Sequence, residues 1–314
     1  MPNENLRRWG LLSLLGICLS SSLQAVELRQ RTAEEFQKYV EQTEVRMRGE
    51  LANPGMFLYL DTLPEKQKES VKASLFSGGI MIEPLRTSQN GKHLEVPDGL
   101  VHHWLAITFV PGGTRNQAMA LAEDYSRHPQ LYAPDVQRAK VLSQTGEHFS
   151  VYFRLYRKVI VTAVYNTEFT ADYFRPDAIR GYCISRAVRI AEVENPGNPN
   201  EHEYPTGTDH GYLWRLNLYT RYLERDNGVY IQVEFLAMSR TVPAIFAWLV
   251  NPYIRSVPRE YLSNYMINTK KALVPPVATS AARIGADPRR ASTGSRIRLV
   301  NERFLRQRQK CEST

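Results

Sequence analysis

His102 and His103 stand side by side just before Trp104, in a segment whose alternation reads as a strand. Adjacent strand residues point to opposite faces, so the two imidazoles cannot share one pocket. One is read as structural and the other as solvent-facing. His202 and His210 lie among Glu201, Glu203 and Asp209 in a loop rich in Pro, Gly and Asn. Those are metal-ligating residue types, but the spacing matches no known ligand pattern, and a long polar hairpin loop explains them as well. No metal site is expected. Arg186 and Arg189 fall among small and apolar residues of a strand, and their odd spacing puts them on opposite faces. An inward Arg186 would anchor a carboxylate or phosphate head group; the competing reading pairs it with a neighbouring acid such as Glu168. The chain has no nucleophile elbow, P-loop, dinucleotide fingerprint, zinc-protease helix or paired CxxC. No catalytic residue and no cofactor is assigned, although a site assembled from distant residues needs no linear motif.

The stronger signal is apolar. Tyr212, Trp214, Leu216, Leu218 and Tyr222 alternate with Arg215, Asn217 and Arg221, and in a second segment Val229, Ile231, Val233, Phe235 and Ala237 alternate with Tyr230, Gln232 and Glu234. Strict period two means two strands with one shared buried face. Asn227-Gly228 suits a type I′ turn, whose central residues both need positive φ. With those residues at the tip, Arg221 is expected opposite Glu234 and Tyr222 opposite Val233.

An apolar bridge bounded by Pro243 and Pro252 follows, with Ile245, Phe246, Trp248 and Leu249 at its centre, and then an amphipathic helix from Val257 to Leu273. Tyr261, Leu262, Tyr265 and Met266 must face the sheet, where the tyrosine hydroxyls would be polar handles in an apolar space. The bridge either packs on the end of the sheet or forms a lid that meets a membrane or partner through residues 244–254. A sheet closed by one long helix often encloses a pocket. The residues expected to face a ligand are Trp214, Leu216, Leu218 and Tyr222 from the first strand and Ile231, Val233 and Phe235 from the second. Tyr261 and Tyr265 join them from the helix, with Trp248 in the lid and Arg186 as the polar anchor.

These elements must be held by the rest of the 314 residues, which are 43% hydrophobic and 23% charged, ordinary values for a protein with a real core. Arg7 and Arg8 precede an apolar run from Trp9 to Leu19 and small residues up to Ala25, the pattern of a signal peptide cleaved near Ala25. The run is shorter than the roughly 20 residues a membrane span needs. Residues 1–25 are therefore read as a signal, and the mature chain as exported, periplasmic or secreted. Only Cys183 and Cys311 would remain, too few for a disulfide framework, and Cys183 is read as a small buried hydrophobe.

The formal net charge is +8, but residues 274–314 hold nine Lys and Arg against three acids, and the signal holds two arginines against Glu4. The body is thus nearly neutral, and no nucleic-acid groove is expected on it. The segment 274–314 opens Val274-Pro275-Pro276 and lacks apolar periodicity, so it reads as a disordered basic tail.

Upstream, Thr32 and Glu35 form a Thr-x-x-Glu capping box ahead of Phe36, Tyr39, Val40, Thr43 and Met47 at helical spacing, and Pro64 to Phe76 reads as a second helix. Strands are expected at 80–85 and 100–110, with a helix capped by Thr114 and Gln117 after them. From 136 onward nearly everything is strand, at 137–144, 148–157, 159–170, 180–193, 211–224 and 228–240.

The order of strand, helical segment, six strands and a long helix resembles the helix-grip fold of the START and Bet v 1-like (SRPBCC) superfamily. The pattern is accompanied by phrases such as DYSRHPQLYAPDVQRAKVLS (124–143) and GVYIQVEFLAMSRTVPAIFAWLVNPYIRSVPREYLSNYM (228–266). The resemblance implies an α+β fold in which about seven antiparallel strands curl around the C-terminal helix over residues 80–273; the helices of residues 26–79 lie outside the pattern as an N-terminal extension. It also implies a hydrophobic small molecule or lipid as partner. The chain would be a carrier of a lipid, isoprenoid or quinone-like molecule. The alternatives are a polyketide-cyclase-like enzyme using Arg186, Tyr261 or Tyr265, and a non-catalytic envelope scaffold.

Overall fold

Residues 29–158, 162–241 and 244–274 are described in the computed structural model of the chain, the side chains of residues 244–257 excepted. The expected signal at 1–25 and the basic tail beyond Val274 lie outside the described residues. The chain opens with helices α1 (Gln30–Ala52) and α2 (Glu65–Phe76), then strands β1 (Ile80–Pro84) and β2 (Gly99–Pro111). Helix α3 (Arg115–Glu123) and the short α4 (His128–Leu131) follow. The strands β3 (Val136–Thr145), β4 (His148–Lys158), β5 (Thr162–Phe174), β6 (Arg180–Glu194), β7 (Arg215–Arg225) and β8 (Gly228–Arg240) precede α5 (Ala244–Leu273). The strands form one nine-stranded sheet in the order β1-β2-β8-β7-β6-β5-β4-β3, the ninth being the short His202–Glu203 against β6. All pairings are antiparallel, and the expected count of about seven is exceeded because β1 adds an edge beside β2.

Both faces of this sheet are covered. On one face Val229, Ile231 and Val233 of β8 and Tyr222 of β7 pack with Met119 of α3 and with Leu262 and Met266 of α5. On the other, Leu236 and Met238 pack with Phe36, Tyr39 and Val40 of α1, while Leu105, Ile107 and Tyr230 pack with Leu75 of α2. β8 is buried on both faces, apolar on the α5 side and carrying Gln232 and Glu234 between apolar residues on the α1 side. The arrangement is an α+β helix-grip, with the long C-terminal helix on one face and the N-terminal helices on the other.

Four local expectations are corrected. Arg225 pairs with Gly228 and Tyr222 with Ile231, so the turn is Asp226-Asn227, at φ 58° and 57°, and Arg221 faces Gln232. Gly228 is taken by the sheet, where a Cβ would meet the Val110 carbonyl oxygen at 2.4 Å. Asp and Asn tolerate the left-handed conformation and supply the turn in its place. The shift is two residues, so the faces are unchanged.

In β6, Ala187 pairs with Phe169 but Arg189 pairs with Glu168, leaving Val188 as the extra residue of a bulge. One added residue inverts the alternation, so Arg186 and Arg189 share a face instead of opposing. Helix α1 starts after Arg29, and Thr32 is buried within it rather than capping it. The Thr114–Gln117 box is present, with Gln117 N donating to Thr114 Oγ1 at 3.2 Å and Thr114 N to Gln117 Oε1 at 3.0 Å. Finally, the bridge expected at 243–254 is helical: α5 begins at Ala244, not Val257. An interior proline costs a helix about 3 kcal/mol. The stretch Ala244 to Val250 contains no glycine to stop the helix, and the chain carries Pro252 and Pro258 inside it.

Candidate functional site

The period-two rule aims the odd residues of β4 and β5 and the even residues of β7 at the α5 face. There they enclose a cavity of about 100 Å³. Its strand wall includes Phe153, Phe169, Cys183, Leu216, Leu218 and Tyr222; Tyr261 and Tyr265 close it from α5, and Tyr125, His128 and Tyr132 from the segment after α3. The phenols are tied to one another and to the backbone. Tyr173 donates its hydroxyl to the Ala122 carbonyl at 3.2 Å, so at 2.9 Å it is Tyr125 that donates to Tyr173. Tyr132 stacks on Tyr265 with ring centroids 4.7 Å apart, and its hydroxyl meets Thr269 Oγ1 at 3.0 Å.

His128 Nε2 lies 3.1 Å from the Ala122 carbonyl oxygen, which only accepts, so Nε2 carries the proton. Its ring stacks on Phe153. Burial pushes this imidazole down to about 4 and the Cys183 thiol up to about 12, and it holds the Tyr222 and Tyr265 phenols well above their ordinary value. The site is neutral.

Of the residues expected at a ligand, Leu216, Leu218, Tyr222, Tyr261 and Tyr265 line this cavity. Ile231, Val233 and Phe235 share the face but pack in the adjoining core, the Phe235 ring 5.8 Å from Tyr261. Two expectations are overturned. Trp214 precedes the first ladder residue of β7, escapes its alternation, and packs with Phe36 and Tyr39 on the α1 face. Arg186 also lies on that face, where its Nη2 donates to Glu44 Oε1 at 2.7 Å; Glu168 pairs instead with Arg189, at 4.0 Å. The Trp248 side chain is outside the described residues. Tyr125, His128, Tyr132, Phe153, Phe169 and Tyr173 were not anticipated. Alternation in β4 and β5 carried the signal for the strand residues, and the spacing of 125, 128 and 132 carried it for the rest.

On the α1 face a second polar cluster fastens the helix to the sheet. Glu234 is buried to 1% exposure, and its Oε1 accepts from His103 Nε2 at 2.6 Å and from Arg46. His103 Nδ1 then accepts from the Tyr39 hydroxyl at 3.0 Å, and Tyr39 Oη accepts from Thr87 N at 2.9 Å. Burial opposes ionisation of Glu234, but the His103 hydrogen bond and the Arg46 charge outweigh it and hold the carboxyl below its ordinary value. Arg221, 3% exposed, donates to Glu50 Oε2 at 2.7 Å and to the Phe57 carbonyl at 2.8 Å. His102, by contrast, faces the α5 side and meets Ser239 Oγ at 3.0 Å. Among the described residues no group of three or more His, Cys, Asp or Glu is placed to hold a metal ion.

No protein-family model and no curated protein matches this chain. Solved structures similar to it include a STAR-related lipid transfer protein from Xanthomonas axonopodis, 12% identical over 57% of this chain and 95% of that one, with a TM-score of 0.40. Human STARD10 is 11% identical over 67% of this chain and 81% of that one, TM-score 0.38. The Zhui aromatase/cyclase from Streptomyces sp. R1128 is 9% identical over 55% and 92%, TM-score 0.35. At such scores the ligand and activity of this chain are left to its own residues.

Proposed function

We propose that the chain is an exported, START-like binding protein that holds a hydrophobic ligand between the sheet and α5. The observation that carries this reading is the cavity, walled by aromatic and aliphatic side chains and covered by α5 and the segment after α3. Its roughly 100 Å³ is smaller than the roughly 300–1,000 Å³ of ordinary ligand pockets and than the roughly 150 Å³ that holds benzene. A lipid-sized guest therefore enters only as α5 and the stacked Tyr132 and Tyr265 give way. Binding is favoured over proton-transfer chemistry because burial leaves His128 at about 4, too weak a base for general-base work near neutral pH. Arg186, the cation that could have oriented a substrate, faces away.

Native mass spectrometry of the protein gently purified from its own host is expected to show an adduct of lipid-like mass. Leu218→Trp, which fills the cavity, should abolish that adduct while leaving the circular dichroism spectrum unchanged. A ligand-free spectrum from the wild-type protein would count against the carrier.

Residues 244–254, the first turns of α5, are proposed as a transient membrane contact. No described helix is long and apolar enough to cross a membrane. Trp248→Ala should slow ligand uptake from vesicles several-fold; unchanged uptake by a folded variant disposes of this role.

A further inference from the structure

Among the described residues the wall of the cavity carries no charged side chain. Among the described residues its polar groups are phenols, the Ser185 and Thr220 hydroxyls, the Cys183 thiol and the His128 imidazole. Burial keeps the thiol protonated and the imidazole unprotonated at neutral pH. Near the cavity Arg127, exposed beside His128, lies close enough for its charge to act on the Tyr132 phenol; three other cations are paired. Arg157 donates to Asp135 at 2.9 Å and lies 3.5 Å from Glu260 of α5, Glu123 pairs with Arg175, and Arg186 is held by Glu44 across the sheet.

We propose that this cavity selects uncharged ligands, an apolar body bearing a neutral hydroxyl or carbonyl group, and rejects carboxylates and phosphate esters. The inference rests on the reading of the cavity as the ligand site. A carboxylate moved out of water needs a paired cation or several N–H donors to offset its lost hydration, and this wall offers neither. A neutral hydroxyl or carbonyl needs one partner, which a phenol or Ser185 can be. A carboxylic acid is therefore admitted only as its protonated form, and its apparent affinity follows that minority fraction.

The test compares 2-naphthol with 2-naphthoate by calorimetry on the full chain from about pH 5 to about pH 8. Both probes ask the same displacement of α5, so their size cancels. The naphthol dissociation constant is expected to be constant over this range, whereas that of naphthoate rises about tenfold per pH unit, reaching a gap of about a hundredfold or more near pH 7. Equal affinities at neutral pH overturn the proposal and leave the cavity intact as a ligand site. If neither probe binds, the cavity reading falls and this inference with it. Leu218→Trp should abolish naphthol binding; full-strength binding by that variant places the probe elsewhere and also overturns the proposal.

Discussion

Replacing Arg221 by alanine is expected to cost the folded protein about 3–5 kcal/mol, the cost of breaking a buried ion pair by removing one partner. The guanidinium is 3% exposed and spans two donors' worth of need, the Glu50 carboxylate at 2.7 Å and the Phe57 carbonyl at 2.8 Å. Its removal strands a carboxylate that is itself only 8% exposed and leaves an orphaned carbonyl beside it. Arg46 still reaches Glu50, at 2.7 Å, which sets the loss toward the lower end of the range. The measurement is the urea midpoint of Arg221→Ala against wild type, with Arg221→Ala/Glu50→Ala as the companion. The double variant should be less destabilised than the sum of the two single ones, because the stranded charge is gone. A loss under about 1 kcal/mol in the single variant would mean that Glu50 is rehydrated and that α1 is not fastened here.

The second large effect is a stability that falls as pH drops from 7 to 5. His102 and His128 are both held down to about 4 by burial, against an ordinary value of 6.5. The unfolded chain then binds more protons than the folded one between those limits, so stability is complete above about pH 6.5 and is lost progressively toward pH 4. Each histidine contributes roughly 2 kcal/mol of that loss between pH 7 and pH 5. The window ends there because the carboxyls begin to titrate: Glu234, held below its ordinary value, loses its contribution at lower pH still, and Glu123, raised chiefly by burial, works in the opposite direction. Urea midpoints across this window should slope with pH, and His128→Phe should remove about half of the slope. A flat profile in the wild type would show that these imidazoles are hydrated in the folded state.

The elements were legible because each announces itself locally. The stripe at Phe36, Tyr39, Val40, Thr43 and Met47 is the buried face of α1, and the period-two runs that name β7 and β8 lie within residues of their observed ends. The lining of the candidate site was legible where a regular element carries it: Leu216, Leu218 and Tyr222 by strand parity, Tyr261 and Tyr265 by helix spacing. It was illegible where one residue breaks the count. The bulge at Val188 turns Arg189 to the side of Arg186, and Trp214 stands just outside the ladder it seemed to belong to. The turn was misplaced because a glycine that looked available was already needed by the neighbouring strand. These are long-range facts, set by what a residue meets after folding, and no local pattern records them.

The covering of the sheet on both sides has a mechanical consequence. The α1 side is stitched by charged hydrogen bonds from Arg46 and Arg221 to buried carboxylates and from Arg186 to the half-buried Glu44. The described part of α5 is held by packed apolar side chains, the Tyr132 to Thr269 hydrogen bond and the looser Arg157 to Glu260 contact. Under the proposed function the sheet would be the anvil and the helix the moving jaw. The give needed to widen the chamber would then lie with the described part of α5.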